Sequence, residues 1–356
     1  MSKITVIGTG NGGQAFAGYL AMLGHEVRLY GRDPERVAGL NRIKDIRLSG
    51  KVEGVGRPSL ISADLEACLC DAEIIMITTT ADAHRELAMR MAPHLENGQI
   101  VVLNPGRTLG AVEFRYVLEK VGCSACVAVV EAQSLAFACR AESPGNVRVI
   151  GFKQNVPAAA LPAVDAATAV QKINEIMGCF IPAKNVLETS LENIGAVFHP
   201  LIVVLNSAAI ERGQQFLFYN DMTERAARVV EMLDRERLAV GRAFGLTLRS
   251  AEEWVSFAYD GIGGEGLCQK MRNNPAYSRI MAPLDICSRY LTEDVPTGIV
   301  PMIELGRLAG VETPIMEGVL RMSEALVDRD FVAEGRTLPR LGLGGYSMDN
   351  LLARMK

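Results

Sequence analysis

The segment Gly8-Thr9-Gly10-Asn11-Gly12-Gly13 limits what this chain can fold into more than any other stretch. It follows a short apolar run at 4–7 and opens a helical pattern at 14–23 that stops at Gly24. Alone, G-x-G-x-x-G is a weak signal. Between a strand and a helix, inside a complete βαβ unit, it predicts a dinucleotide site. Gly8 permits the tight turn, Gly10 lets backbone approach a pyrophosphate, and Gly13 lets helix and strand pack closely. The anion then rests on the N–H groups of the helix N-terminus. The alternative is a glycine-rich turn with no ligand.

Further strands are expected at 26–30, 73–78, 99–103 and 125–130, with a helix at 83–95 between the second and third of these. A strand at 147–152 and a helix at 161–177 complete the series. Strands alternating with helices predict a parallel, doubly wound sheet of Rossmann type over residues 1–184. Beyond that point the periodicity turns almost purely helical, at 191–211, 221–244, 251–259, 298–309 and 315–328. Asp221 with Glu224 offers a capping box for the second of these, and Gly245 a stop. The expected fold class is therefore α/β: an N-terminal Rossmann domain (1–184) followed by an all-helical domain (185–356). A chain of 356 residues is long enough for two such cores.

Composition narrows the partners. With 49% hydrophobic and 22% charged residues, the chain can pack a core and is not expected to be disordered. A net charge of -4 argues against nucleic acid or an anionic membrane as the main partner. The apolar run at 194–210 is broken by His199, Pro200 and Asn206, and reads as a buried core helix rather than a membrane span. Cys123 and Cys126 form a lone C-x-x-C with no second pair at metal spacing, so no metal is expected. The eight cysteines read as buried reduced thiols, which together with the immediate start of a strand after Met1-Ser2-Lys3 points to the cytoplasm.

At the end of the second strand an NAD enzyme usually places Asp or Glu on the ribose 2′-hydroxyl. Here Tyr30 is followed by Gly31 and Arg32. Losing a carboxylate and gaining a guanidinium suits a 2′-phosphate, so NADP is favoured over NAD. The alternative leaves Arg32 as a solvated loop charge, with Asp33 on the ribose of NAD. Of four histidines, His25 and His94 read as solvated, and His84 as a helix start beyond Thr78-Thr79-Thr80. His199 lies in the apolar helix. A lone histidine there is more often a satisfied core residue than a catalyst, and only a partner group would tip the balance.

That partner is suggested by Arg289-Tyr290-Leu291-Thr292-Glu293-Asp294-Val295-Pro296-Thr297-Gly298. Together with Asn104-Pro105-Gly106-Arg107-Thr108, Glu131-Ala132-Gln133-Ser134 and 193–200, in this order, it resembles the octopine/nopaline (opine) dehydrogenase family over nearly the whole chain. Members of that family condense the amine of an amino acid with a 2-oxo acid and reduce the imine with NAD(P)H. The resemblance implies that His199 is the acid–base group and that Asp294 orients it. It implies that Arg289 clamps a substrate carboxylate, with Asn193 and Thr223 as further substrate-pocket candidates. Cofactor contacts are expected from Gly8, Gly10, Asn11, Gly12, Gly13, Arg32, Thr80, Asn104, Pro105 and Gly106. Two departures stand out. The family pattern has a polar Asn in a relative where Gly195 stands here, and Gly31 replaces the usual acid.

Rival dehydrogenases of similar architecture, ketopantoate reductase and glycerol-3-phosphate dehydrogenase, use a lysine on the first helix of the second domain. The pattern at 191–211 contains none. A protein that only senses NADPH would need no His/Asp pair. The partners expected are thus an amino acid and a 2-oxo acid. The helical domain also offers a face for a homodimer, with the oligomeric state left open.

Overall fold

The computed structural model describes residues 1–259 and 261–356. It divides into two compact units: residues 1–106, 110–189 and 355–356 form one, and 107–109 with 190–354 the other.

The first unit alternates strand and helix as β1 (Lys3–Ile7), α1 (Asn11–Met22), β2 (Glu26–Tyr30), α2 (Pro34–Ile43), β3 (Ile46–Gly50), β4 (Gly54–Gly56), β5 (Leu60–Ser62), α3 (Leu65–Leu69), β6 (Ile74–Ile77), α4 (His84–Met91), β7 (Ile100–Leu103), α5 (Gly110–Lys120), β8 (Ala128–Ala132), β9 (Phe137–Ser143), β10 (Asn146–Phe152), β11 (Val156–Leu161), α6 (Ala166–Asn174) and β12 (Phe180–Pro182). Eight strands make one sheet in the order β12-β11-β8-β7-β6-β1-β2-β5. All neighbours run parallel except β11 against β8. The central strands are continuous apolar runs, as a sheet covered on both faces requires: β6 and β7 are buried at every residue. Strand order reverses between β1 and β6, and the ends of these two strands carry Gly8 and Thr78 respectively. Such a switch point is where open α/β sheets bind ligands.

The strand expected at 147–152 exists as β10, but it does not extend the parallel sheet. It belongs to a second sheet, β4-β3-β10-β9. There β10 pairs in parallel with β3 and antiparallel with β9. Helix α1 packs between glycines and apolar side chains: a Cβ on Gly18 would sit 2.7 Å from Ile46 Cγ2. Phe16, Tyr19, Phe137 and Phe152 close this region, with Phe16 edge-on to Phe137 at 4.9 Å and Phe137 stacked on Phe152 at 4.9 Å. The helix expected at 161–177 is shorter, because Leu161 completes β11 and α6 begins only at Ala166.

The segment Val186–Leu191 (α7) crosses the division between the units. The second unit then holds α8 (Ile194–Leu205), α9 (Ser207–Glu211), α10 (Glu224–Ala243), α11 (Ala251–Ala258), α12 (Gly266–Asn273), α13 (Arg289–Thr292), α14 (Val300–Ala309), α15 (Pro314–Val327), α16 (Phe331–Glu334) and α17 (Met348–Arg354). The single helix expected at 191–211 is in fact broken. Asn206 leaves helical geometry at φ -117° and turns its amide back onto the Ile202 carbonyl. Helix α10 starts at Glu224, not at Asp221. Its cap is Thr223, whose hydroxyl accepts from the Ala226 N–H, while Asp221 accepts from the Leu217 N–H. Gly245, at φ +69°, follows its end. Arg237 is fully buried in this unit, its charge answered by Asp234 at 2.8 Å and by the Leu191 carbonyl at 2.8 Å.

All eight cysteines are free. Burial was expected throughout, yet Cys70, Cys126 and Cys287 are exposed, since each lies in a turn or loop outside the core. Burial pushes the Cys139 and Cys179 thiols up to about 12. Among the described residues no helix is long and apolar enough to cross a membrane.

Candidate active site

The first unit presents a cradle at the end of β1. Gly8 adopts φ +114°, a conformation that side chains rarely take, and a Cβ on Gly13 would overlap the Gly8 carbonyl. Gly10 has open space where its Cβ would point. Helix α1 has no side-chain cap and no acid in its first turn, so its leading N–H groups are left for an anion. These features fit a pyrophosphate. Asn11 is tied down, accepting from the Ala141 N–H, and Gly12 faces the Leu135 side chain at 3.3 Å.

Other expected cofactor residues divide by burial. Thr80 is exposed ahead of the turn Ala81–Ala83. Asn104 is buried; its oxygen accepts from the Ala136 N–H, while its amide nitrogen has no protein partner. Such a donor is costly to leave unmet and suits a bound ligand. Pro105 leads into Gly106, where any Cβ would overlap Glu131, a buried carboxylate that accepts from the Ala111 N–H and the Thr189 hydroxyl. At the ribose end, a Cβ on Gly31 would meet Thr9 Cγ2 at 2.6 Å and Val37 Cγ2 at 3.0 Å, which accounts for glycine in the usual acidic place. Asp33 is committed to capping α2 through the Glu35 and Arg36 N–H groups. Arg32 is exposed.

The second unit gathers a charged cluster around His199. Its Nδ1 lies 2.7 Å from Asp294 Oδ2, and its Nε2 lies 2.7 Å from the Tyr219 hydroxyl. Burial, aided by Tyr290 and other neighbours, holds the Tyr219 phenol well above its ordinary value, so it remains protonated and donates. Nε2 therefore accepts, and Nδ1–H donates to Asp294. Burial pushes the Asp294 carboxyl up, but Arg107, then His199 and Arg289, outweigh it and hold it below the usual range. Asp294 sits where the backbone leaves α13 and enters a π-helical turn, Val295–Ile299. Pro296 and Pro301 withdraw N–H donors around this turn, and the Glu293 carbonyl takes both the Thr297 N–H and its hydroxyl.

Of the residues expected here, His199 and Asp294 meet directly. Arg289 does not touch that pair: its side chain is 61% exposed, 3.8 Å from Glu293 and near the Tyr290 ring. Asn193 spends its amide within the cluster, accepting from Arg107 and donating to Thr108. Thr223 is the exposed cap of α10. Tyr219, Tyr290, Glu293 and Arg107 were not among the expected site residues. Arg107 lies at 3.2 Å from Asp294 and 3.3 Å from Glu293. The Tyr290 ring lies 4.5 Å from that of His199. Tyr290 and Glu293 lie within the Arg289–Asp294 segment, and that adjacency was the available signal. Tyr219 lies in an aperiodic loop and gives none.

Comparison with known proteins agrees with both units. Residues 182–327 match the family model described as NAD/NADP octopine/nopaline dehydrogenase, alpha-helical domain. Residues 3–110 match that of the NAD-dependent glycerol-3-phosphate dehydrogenase N-terminus. An opine dehydrogenase of Arthrobacter sp. (strain 1C) is 39% identical over 344 residues, covering 96% of this chain and 95% of the relative. A solved octopine dehydrogenase with NADH and L-arginine superposes with a TM-score of 0.82 at 23% identity, over 100% of this chain and 99% of its own. An NADP+-bound yersinopine dehydrogenase does so at 0.74 and 14%, over 100% and 98%.

Proposed function

The chain belongs to the opine dehydrogenase family and is an NAD(P)-dependent dehydrogenase, and from that premise we propose that it joins an amino acid to a 2-oxo acid by reversible reductive condensation. The amine adds to the oxo carbon and water leaves, giving an imine. Hydride, supplied by the reduced nicotinamide when bound, then reaches that carbon, and one proton completes the secondary amine. His199 is the group that handles the proton, at Nε2, the nitrogen touched by the Tyr219 hydroxyl. Asp294 keeps the proton of the neutral ring on Nδ1 and stabilises the imidazolium. The observation that carries this reading is the 2.7 Å pairing of His199 with a fully buried carboxylate.

Both substrates carry a carboxylate, and Arg289 is the exposed cation beside the cluster. Arg289→Lys keeps the charge and loses the planar fork. Its Michaelis constant for one substrate should rise by about tenfold, with cofactor affinity intact. Unchanged constants for both substrates would remove Arg289 from the site. Asn193 and Thr223 are lesser members of the same pocket. NADP is the favoured cofactor, because Asp33 is spent on the α2 cap while Arg32 is exposed at the end of β2. The free thiols suit a reducing cytoplasm.

A matrix of L-amino acids against pyruvate, glyoxylate and 2-oxoglutarate, followed by nicotinamide absorbance, tests the proposal. At least one pair should consume NADPH much faster than either component alone. Oxidation that proceeds equally without the amino acid would refute it.

A further inference from the structure

Arg107 is the one charged residue of a three-residue segment, 107–109, that belongs to the helical unit although the chain on either side belongs to the other. The segment is firmly held. The Thr108 N–H donates to the Thr297 carbonyl at 3.1 Å, the Leu109 N–H to the Ser190 hydroxyl at 2.8 Å, and Arg336 to the Thr108 carbonyl at 2.9 Å. Arg107 itself is held at φ +64°, in the left-handed region that non-glycine residues seldom occupy. Its side chain, 12% exposed, reaches Asp294 Oδ1 at 3.2 Å, Glu293 Oε1 at 3.3 Å and Asn193 Oδ1 at 3.4 Å.

An independent feature makes room for it. A Cβ on Gly195 would stand 2.5 Å from Arg107 Nη1, and 3.3 Å from both Asp294 Oδ1 and His199 Cε1. A side chain at 195 and the guanidinium thus compete for one place. Glycine at 195 is what seats Arg107 against the carboxylate.

We infer that Arg107 is a positioning residue: seated in the space that Gly195 leaves, it holds the Asp294 carboxylate against His199 and sets the pH at which His199 gains its proton. Asp294 bridges two partners, the Arg107 guanidinium near Oδ1 and the His199 ring at Oδ2. Arg107 shares the carboxylate's negative charge and would repel an imidazolium, so losing it should favour the protonated ring. The other groups facing His199 are Tyr219 from the loop before α10 and Tyr290 from α13, with Glu293 and Arg289 beyond them. Among the described residues no hydrogen bond or ion pair joins His199 to α10, α11 or α15. Glu293 is itself paired with Arg107, so the net charge near the ring depends on that guanidinium.

The inference rests on the acid–base role given to His199, but its test does not. With only four histidines, the His199 ring can be followed by NMR titration in the ligand-free protein, assigned by its loss in His199→Gln. Arg107→Gln should raise its midpoint by about 1 pH unit. Arg107→Lys, which keeps the charge, should restore most of the wild-type value. Gly195→Ala keeps every charge and should move the midpoint the same way, which covers the case in which Arg107→Gln fails to fold. The double variant Arg107→Gln/Gly195→Ala should move no further than Arg107→Gln. An unmoved midpoint in a folded Arg107 or Gly195 variant, or additive shifts, would overturn the inference. So would an Arg107→Gln protein whose only change is a raised Michaelis constant, the mark of a substrate clamp. Midpoints that shift as expected in a protein with no turnover of any amino acid and 2-oxo acid would keep this inference and remove the functional proposal.

Discussion

His199→Ala is expected to lose about 10²- to 10⁴-fold in turnover, far more than any accompanying loss of stability explains, while staying folded and keeping its cofactor affinity nearly intact, because positioned proton transfer is typically worth that much. The selectivity of the loss matters more than its size. His199 lies in α8, among core residues such as Phe198 and Leu201, and a purely structural histidine there would behave differently. Truncating it would open a cavity and strand the Tyr219 and Asp294 hydrogen bonds, lowering stability without singling out the chemical step. Asp294→Asn gives the second arm. Its amide can still meet Nδ1, but it can also donate there, which favours the wrong tautomer, and it no longer offsets an imidazolium. A loss of similar order is expected. The double variant should be little worse than either single one, since the two groups act as a unit. Steady-state kinetics beside thermal melts of the three proteins decide the matter. Full additivity, or losses that track stability alone, would contradict the assignment.

Arg32→Ala should weaken NADPH by about 10- to 150-fold and leave NADH nearly unchanged, the range expected for losing a charge-assisted hydrogen bond to phosphate. The structural case is local. Gly31 has no room for the acid that would bind a ribose 2′-hydroxyl, because Thr9 and Val37 fill that space, and Asp33 holds the first turn of α2. What remains at the end of β2 is an exposed guanidinium. Equilibrium binding of both cofactors to wild type and variant is the check. Tighter wild-type binding of NADH, or equal losses for both, would end the preference for NADP.

The parts of this molecule that sequence makes legible are those with local causes. Gly8 to Gly13 is readable because each glycine answers to its own turn, approach or contact, and the apolar runs of β1, β6 and β7 because both sheet faces are covered. The second sheet is not readable. β3 reads Ile-Arg-Leu-Ser-Gly and β4 Gly-Val-Gly, too short and too polar to announce strands, and β3 finds its partner β10 about a hundred residues later. Helix breaks such as Asn206 are set by one side chain returning to its own backbone, which leaves the apolar periodicity untouched. In the charged cluster, spacing gives no reason to join His199 to Asp294, 95 residues on; family resemblance supplies that link. Arg107 was hidden for a different reason. It stands in a loop in the middle of the strand–helix alternation, and only the fold reveals that 107–109 belong with the helices. Gly195 reads as a departure from the family pattern until the guanidinium is seen in its place.

The most direct measurement of the central claim is the fate of the hydride. The enzyme is supplied with NADPH deuterated at the nicotinamide C4, a 2-oxo acid and an amino acid, and the products are analysed by mass spectrometry and NMR. The account predicts a secondary amine dicarboxylate carrying one deuterium on the former oxo carbon, formed only when the amino acid is present. A deuterated 2-hydroxy acid, appearing with or without the amino acid, would contradict it.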